Sequence, residues 1–258
     1  RGILREDAMR DGIRGVALDL EGVLYGDEGA FDGAARAVSA LRERGLALRF
    51  LTNTTTRPRR EIVERLAGHG IVAAADEVLS PAVAAAGRLR AAGCACVHLA
   101  AAEGLPLVEE DPDAVLLGDL HRAFDWDRLD RLFGMLRGGA RLVALHKNRY
   151  CRREGRIALD LGPFVAALEY AARVEAEVVG KPSALFFESA VEGMGLSAGE
   201  VVMVGDDIEA DIAGALGAGL AAVQVRTGKY TGADNTREDV RPTARIGSIA
   251  GLPDWLGL

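Results

Sequence analysis

The stretch Gly15-Val16-Ala17-Leu18-Asp19-Leu20-Glu21-Gly22 decides how this chain is read. Four small or apolar residues run without a polar break and then meet two carboxylates and a glycine. A short apolar run with no alternation is the mark of a strand covered on both faces. The same form recurs downstream. Leu46 to Leu51 ends in Thr52-Asn53-Thr54-Thr55, Val178-Val179 is followed by Gly180-Lys181-Pro182, and Val201 to Val204 ends in Gly205-Asp206-Asp207. Leu220 to Val225 is a further apolar run.

Between the runs lie helical patterns. Ala34, Ala37, Val38 and Leu41 fall on one face of a helix that stops at Gly45, and Pro58 opens a second that reaches Gly68. Glu77 to Leu79 reads as a short strand, and Pro81 opens a helix to Ala92. Helices are also expected over Ser183 to Met194 and Ile208 to Ala218. Strands alternating with helices predict an α/β fold: a Rossmann-like parallel sheet covered by helices on both faces. Gly217-x-Gly219-x-x-Ala222 matches a dinucleotide fingerprint in letters only, because it closes a helix and opens a strand, the reverse of what that motif requires.

The middle of the chain has strands at Ala95 to Leu99, Ala114 to Leu117 and Leu142 to Leu145, with one amphipathic helix from Trp126 to Leu136 and turn-like residues at Arg152 to Gly155. None of these strands ends in reactive residues like those on either side. Residues 93–174 therefore read as an inserted α/β domain, and 1–92 with 175–258 as the core. Thr227 to Pro242 reads as a polar loop.

Composition narrows the class. The 258 residues carry a net charge of −7, which argues against a broad nucleic-acid surface. No run of about 18 uncharged apolar residues occurs, so no membrane span is expected, and no signal peptide is visible. Three cysteines without C-x-x-C spacing, Cys94, Cys96 and Cys151, fit a reducing cytoplasm and read as packing residues. Of 31 basic residues only Lys147, Lys181 and Lys229 are lysines. In a chain that uses arginine so freely, a retained lysine points to a need for a compact ammonium.

In an open parallel sheet, ligands bind beyond the carboxyl ends of the strands. Asp19, Glu21, Asp206, Asp207 and Asp211 would converge there with Thr52, Asn53 and Lys181. Two carboxylates 4 Å apart repel by about 4 kcal/mol at an effective dielectric near 20, and one lysine does not compensate several. A hard divalent cation with oxygen ligands, best Mg²⁺, would. Cation, lysine, hydroxyl and amide together trap phosphate, and an adjacent aspartate can attack it to form an aspartyl-phosphate. The plainer readings are an ion-pair cluster for Asp19, Lys181 and Asp206, turn chemistry for Thr52 and Asn53, and a helix cap for Asp207.

These motifs, in this order, resemble the haloacid dehalogenase superfamily, with an insertion of the type C2 cap kind. Leu51 to Thr55, Val178 to Pro182 and Arg226 to Tyr230 resemble its class IIA branch. Within that branch, His146-Lys147-Asn148-Arg149-Tyr150 and Gly162-Pro163-Phe164 are similar to a group whose members act on phospholysine, phosphohistidine and pyrophosphate.

The resemblance implies Asp19 as nucleophile and Mg²⁺ ligand, Asp206 as a direct ligand, and Asp207 and Asp211 as residues orienting metal-bound waters. It implies Thr52 and the Asn53 amide on the phosphoryl oxygens and Lys181 bridging phosphate and Asp19. Glu21 stands where the family's acid/base aspartate sits, one methylene longer, with its backbone carbonyl on the metal; either it still handles protons or only that carbonyl serves. Lys147, Asn148, Arg149 and Asp160 are candidate substrate contacts of the cap, against a solvated loop, and Lys229 belongs either to loop structure or to the site.

The expected activity is phosphate hydrolysis on a small phosphorylated metabolite. The alternatives are cleavage of P–N or P–O–P bonds, or a phosphate- or partner-binding protein disabled at Glu21. Apolar cap strands and the family leave room for a homodimer. Neither nucleic acid nor membrane is an expected partner.

Overall fold

The computed structural model describes residues 12–55, 57–89, 94–95, 107–120, 123–153 and 156–258. The chain divides into two compact units. One comprises the segments up to Thr52, Arg60–Leu79 and Lys181–Leu258; the other comprises Asn53–Arg59 and Ser80–Gly180.

The first unit is built on a six-stranded sheet. In spatial order its strands are Ala244–Ile246, Ala221–Val225, Val201–Gly205, Gly15–Asp19, Ala47–Leu51 and Val78–Leu79, with every neighbouring pair parallel. Gly15–Asp19 is buried along its whole length, as its unbroken apolar run predicts. Gly15 stands beside Val201 on one side and Ala47 on the other. From this central strand the chain proceeds outward to one edge, then returns and builds to the other edge. The order therefore reverses between Gly15–Asp19 and Val201–Gly205, and a crevice opens at the carboxyl ends of such a pair.

The helices follow the periodicity of the sequence. Ala34–Glu43 buries Ala34, Ala37, Val38 and Leu41, and Arg59–Gly68 buries Ile62 and Leu66. Ala184–Met194 buries Phe186, Phe187, Ala190 and Val191 and is closed by Gly195 at φ +66°. Beyond Val201–Gly205 the chain makes a wide π-type turn over Ile208–Ala213 before the α-helical turn Gly214–Gly217. A small hairpin, Tyr25–Gly26 with Gly29–Ala30, follows the first strand. Its two-residue strands were too short for a periodic signal.

The second unit has a parallel four-stranded sheet in the order Glu177–Val178, Arg141–Ala144, Ala114–Leu117 and Cys94–Ala95. Residues 96–99 of the expected strand there, like 90–93, Cys96, His98 and His121, lie outside the described residues. Helices Pro81–Leu89, Trp126–Arg137 and Gly162–Ala172 belong to this unit.

The unit is wider than the 93–174 insertion read from sequence, because the helix Pro81–Leu89 buries Ala82, Ala85, Ala86 and Leu89 in its core. Gly162–Ala172 is a second helix where the sequence analysis saw one. Its near-continuous Ala-rich apolar composition blurs a 3.6-residue period. Arg152 and Arg153, expected in a turn, belong instead to the strand Tyr150–Arg153, paired antiparallel with Arg156–Leu159. Among the described residues, no helix is long and apolar enough to cross a membrane.

Candidate active site

Asp19 is the last residue of the central strand, and Asp206 follows the neighbouring strand directly. The turn Ile208–Ala213 brings Asp211 back to both. One carboxylate oxygen from each of Asp19, Asp206 and Asp211 lies within 4.8 Å of the others. All three residues are buried, with Asp211 1% and Asp206 2% exposed. Lys181, equally buried, donates from Nζ to Asp19 Oδ1 and, at 2.6 Å, to Asp211 Oδ1. Asp211 Oδ2 accepts the Asp207 N–H at 3.2 Å. Thr52, at the end of Ala47–Leu51, is buried, and its N–H donates to Leu79 O at 3.1 Å.

Three buried carboxylates lie close together with one ammonium beside them, and two of them, Asp19 and Asp206, are displaced upward. Burial pushes the Asp19 carboxyl well above the ordinary range. Lys181 draws it back, while Asp211 and Asp206 push it further up. Asp206 is pushed up to about 6 by burial and by Asp211, against the pull of the Lys229 N–H. Burial opposes the charge on Lys181, yet the carboxylates of Asp19 and Asp211 hold its ammonium above the ordinary value. A hard dication fits this donor set: oxygen ligands only, close together, and short of positive charge.

A strap closes the cluster from one side. Thr227 Oγ1 donates to Gly22 O, and the Lys229 N–H donates to Asp206 Oδ2 at 2.6 Å. Two glycines make this approach feasible. Gly22 has φ +94° and Gly228 φ +61°, and a Cβ on either would strike the Asp206 carboxylate. Behind the strap, Gln224 Nε2 donates to Asp234 Oδ2 at 2.8 Å and to Asp206 O at 3.4 Å, and Arg245 Nε donates to Gln224 Oε1 at 2.9 Å. Gln224 and Asp234 were not singled out by sequence reasoning. Gly22, Thr227 and Gly228 were visible only as parts of motifs.

Other expected residues are placed less directly. Asp207 Oδ1 caps the following turn, accepting the Glu209 and Ala210 N–H groups at 3.0 Å each, and its Oδ2 lies 2.9 Å from Lys229 Nζ. The helix-cap reading of Asp207 is thus realised in the structure. Asp211, expected to orient metal-bound waters, is one of the three converging carboxylates. The Glu21 side chain is 70% exposed and lies 3.9 Å from Arg65 NH1.

In the second unit, Asn53 is half-buried, while Asn148 and Arg149 are exposed. Lys147 Nζ binds both oxygens of Glu169, at 2.8 and 2.7 Å. Asp160 is buried 3.7 Å from His146 Nε2, and His146 Nδ1 accepts the Asn148 N–H at 3.3 Å. His146, present in the sequence analysis only as part of a motif, is therefore a buried anchor of the 146–149 loop.

This fold is that of a known family. Residues 16–110 match the family model of haloacid dehalogenase-like hydrolases, and residues 178–252 match a HAD-hydrolase-like model. The chain is 38% identical to the phospholysine phosphohistidine inorganic pyrophosphate phosphatase of Xenopus laevis, over 96% of both chains. It is 37% identical to haloacid dehalogenase-like hydrolase domain-containing protein 2 of Bos taurus, over 91% of this chain and 92% of that one. Among solved structures it is similar to the p-nitrophenyl phosphatase of Archaeoglobus fulgidus (TM-score 0.87, 26% identity, 94% of this chain and 98% of that one). It is also similar to NagD of E. coli K-12 (TM-score 0.83, 26% identity, 92% and 97%).

The chain belongs to the haloacid dehalogenase-like hydrolase family. It is an enzyme of the hydrolase class, as its class IIA motifs led one to expect.

Proposed function

We propose that the protein is a Mg²⁺-dependent phosphatase that cleaves a small phosphorylated metabolite through an aspartyl-phosphate on Asp19. The observation that carries this reading is the convergence of three buried carboxylates, two of them bound to the ammonium of Lys181. Asp19, Asp206 and the Glu21 backbone carbonyl would hold the cation. Asp211 stands close enough to ligate it directly or to orient its waters. Bound there, the ion would offset the negative charge that builds on the transferring phosphoryl group.

The remaining steps belong to the chain's own residues. Lys181 holds Asp19 Oδ1, so the other carboxylate oxygen attacks phosphorus. The bond from phosphorus to the leaving group breaks, and the leaving group takes the electron pair and a proton from Glu21 or from water. The Thr52 hydroxyl and Asn53 amide would hold the phosphoryl oxygens in line, and Lys181 would balance their charge. Water then attacks phosphorus, the bond to Asp19 breaks, and inorganic phosphate leaves with the carboxylate restored. The second unit would act as the cap that selects the substrate, through exposed loop residues such as Asn148 and Arg149.

A second reading keeps this mechanism and changes the bond cut. The relative at 38% identity is named for phospholysine, phosphohistidine and inorganic pyrophosphate, which favours P–N or P–O–P cleavage. One experiment separates the readings: phosphate release from p-nitrophenyl phosphate, sugar phosphates, pyrophosphate and imidodiphosphate, with Mg²⁺ and with chelator. Release that requires Mg²⁺ and vanishes in Asp19→Asn supports the mechanism, and the best substrate names the bond. Release that survives Asp19→Asn overturns it.

A further inference from the structure

Glu21 differs from the aspartate expected at its place by one methylene, and the structure shows where that length goes. The Glu21 carboxylate reaches to 3.9 Å from Arg65 NH1, the limit of an ion pair. A side chain one carbon–carbon bond shorter, about 1.5 Å, would fall outside that reach.

Arg65 is itself seated. It lies on the helix Arg59–Gly68, with its guanidinium carbon 4.6 Å from the centre of the Tyr25 ring. Tyr25 is buried and stacks on His69, ring centres 4.9 Å apart at 26°. Arg65 and His69, one helical turn apart, thus both contact one aromatic ring. Tyr25 is in turn tied to the nucleophile loop: it forms a backbone bridge with Glu21, and its carbonyl accepts the Gly22 N–H at 2.8 Å. Backbone and side chain of Glu21 therefore both refer to the same Tyr25–Arg65 assembly. Among the described residues, Arg65 is the one charged side chain paired with Glu21.

We propose that Arg65 is the positioning residue for Glu21: seated on Tyr25, it fixes the Glu21 carboxylate on the small hairpin and so sets how the departing group receives its proton. This rests on the aspartyl-phosphate reading above. In the first step, the bond between phosphorus and the leaving oxygen breaks as Asp19 bonds to phosphorus. The leaving oxygen keeps the electron pair and takes a proton from the Glu21 carboxyl; in the second step, the attacking water returns a proton to Glu21. A leaving group that is stable as an anion needs little of this help, whereas an alkoxide needs all of it.

The test is kcat and KM of the full chain with Mg²⁺ on p-nitrophenyl phosphate, phenyl phosphate and an alkyl phosphate. The variants are Arg65→Gln, Arg65→Lys, Glu21→Gln and the double variant Arg65→Gln/Glu21→Gln. Misplacing a catalytic group by about 1 Å costs about a hundredfold in rate. Arg65→Gln is therefore expected to lower the ratio of alkyl to p-nitrophenyl kcat by about that factor, with KM little moved. Arg65→Lys, which keeps the charge, restores most of the ratio, and in the Glu21→Gln background the Arg65 change has no further effect.

Loss of the same factor on every substrate, or a loss that persists without Glu21, overturns the proposal and leaves the mechanism standing. Turnover that survives Asp19→Asn overturns the mechanism itself. Arg65→Lys, which retains a cation on the Tyr25 ring, covers the case in which Arg65→Gln does not fold.

Discussion

Lys181 Nζ lies 2.6 Å from Asp211 Oδ1 while also binding Asp19, so one ammonium joins the tip of the central strand to the turn that follows its neighbour. Both carboxylates and the lysine are buried. Removing the lysine leaves two desolvated anions facing each other, with Asp206 close by. Breaking a buried pair from one side costs about 3–5 kcal/mol. Lys181→Met is thus expected to be inactive and to melt well below wild type in chelator. Added Mg²⁺ should recover part of the loss, since a ligand at a hundred times its dissociation constant contributes about 2.7 kcal/mol. Thermal melts with and without Mg²⁺ measure both; a variant as stable as wild type in chelator would show that the cluster is not electrostatically strained.

Gly228 has no room for a side chain. Its φ of +61° is left-handed, and a Cβ would strike Asp206 and lie 2.5 Å from Gly22 Cα. Alanine in that conformation costs about 1–2 kcal/mol before any clash, and the clash falls on a proposed metal ligand. Gly228→Ala should lower the melting temperature and weaken Mg²⁺ binding by about tenfold, the scale of lost support around a ligand. Calorimetric titration of the intact variant reads the second effect without relying on turnover.

Much of this site was legible in the sequence because strand tips carry their residues with them. Once Gly15 to Asp19 and Val201 to Val204 read as buried parallel strands, Asp19 and Asp206 had to emerge at the same edge. Asp211, one turn further along, had to return toward them. The direction of Glu21 was not legible, since it depends on Arg65, which lies 44 positions away, and on the ring beneath it. Nor was the strap, whose decisive groups are the backbone N–H of Lys229 and the missing Cβ of Gly22. The helix Pro81–Leu89 fitted a core helix in sequence equally well. Only the packing of Ala82, Ala85 and Leu89 assigns it to the second unit.

Asp207 holds two things at once, and its two oxygens can be separated by substitution. Oδ1 caps the turn at Ile208, and Oδ2 attracts Lys229. Burial would raise its carboxyl, but Lys229 and the N–H groups of Ala210 and Glu209 bring it below the ordinary value. Asp207→Ala loses both contacts and should cost about 1 kcal/mol for the cap alone. Asp207→Asn keeps a capping oxygen and loses only the charge opposite Lys229. Equal destabilisation by both variants in denaturant titrations would show that the cap contributes nothing.

Lys147 was a candidate substrate contact, yet its ammonium binds both oxygens of Glu169, and Glu169 Oε1 also accepts the Ala176 N–H at 2.9 Å. Burial would raise the Glu169 carboxyl, but the Lys147 and Ala176 hydrogen bonds outweigh it and bring it below the ordinary 4.5. A carboxyl depressed on folding stabilises the protein fully above its unfolded value. That contribution is lost as pH falls through the lower, folded value. With Lys147 41% exposed, solvent screening limits the pair to about 0.5–1 kcal/mol. Lys147→Met should therefore be less stable than wild type by that amount at pH 7. The difference should close as the pH is taken below about 4.5. Denaturant midpoints of both proteins from pH 7 to pH 3 measure it. A gap that stays constant over that range would mean that the lysine acts through its aliphatic packing and not through Glu169.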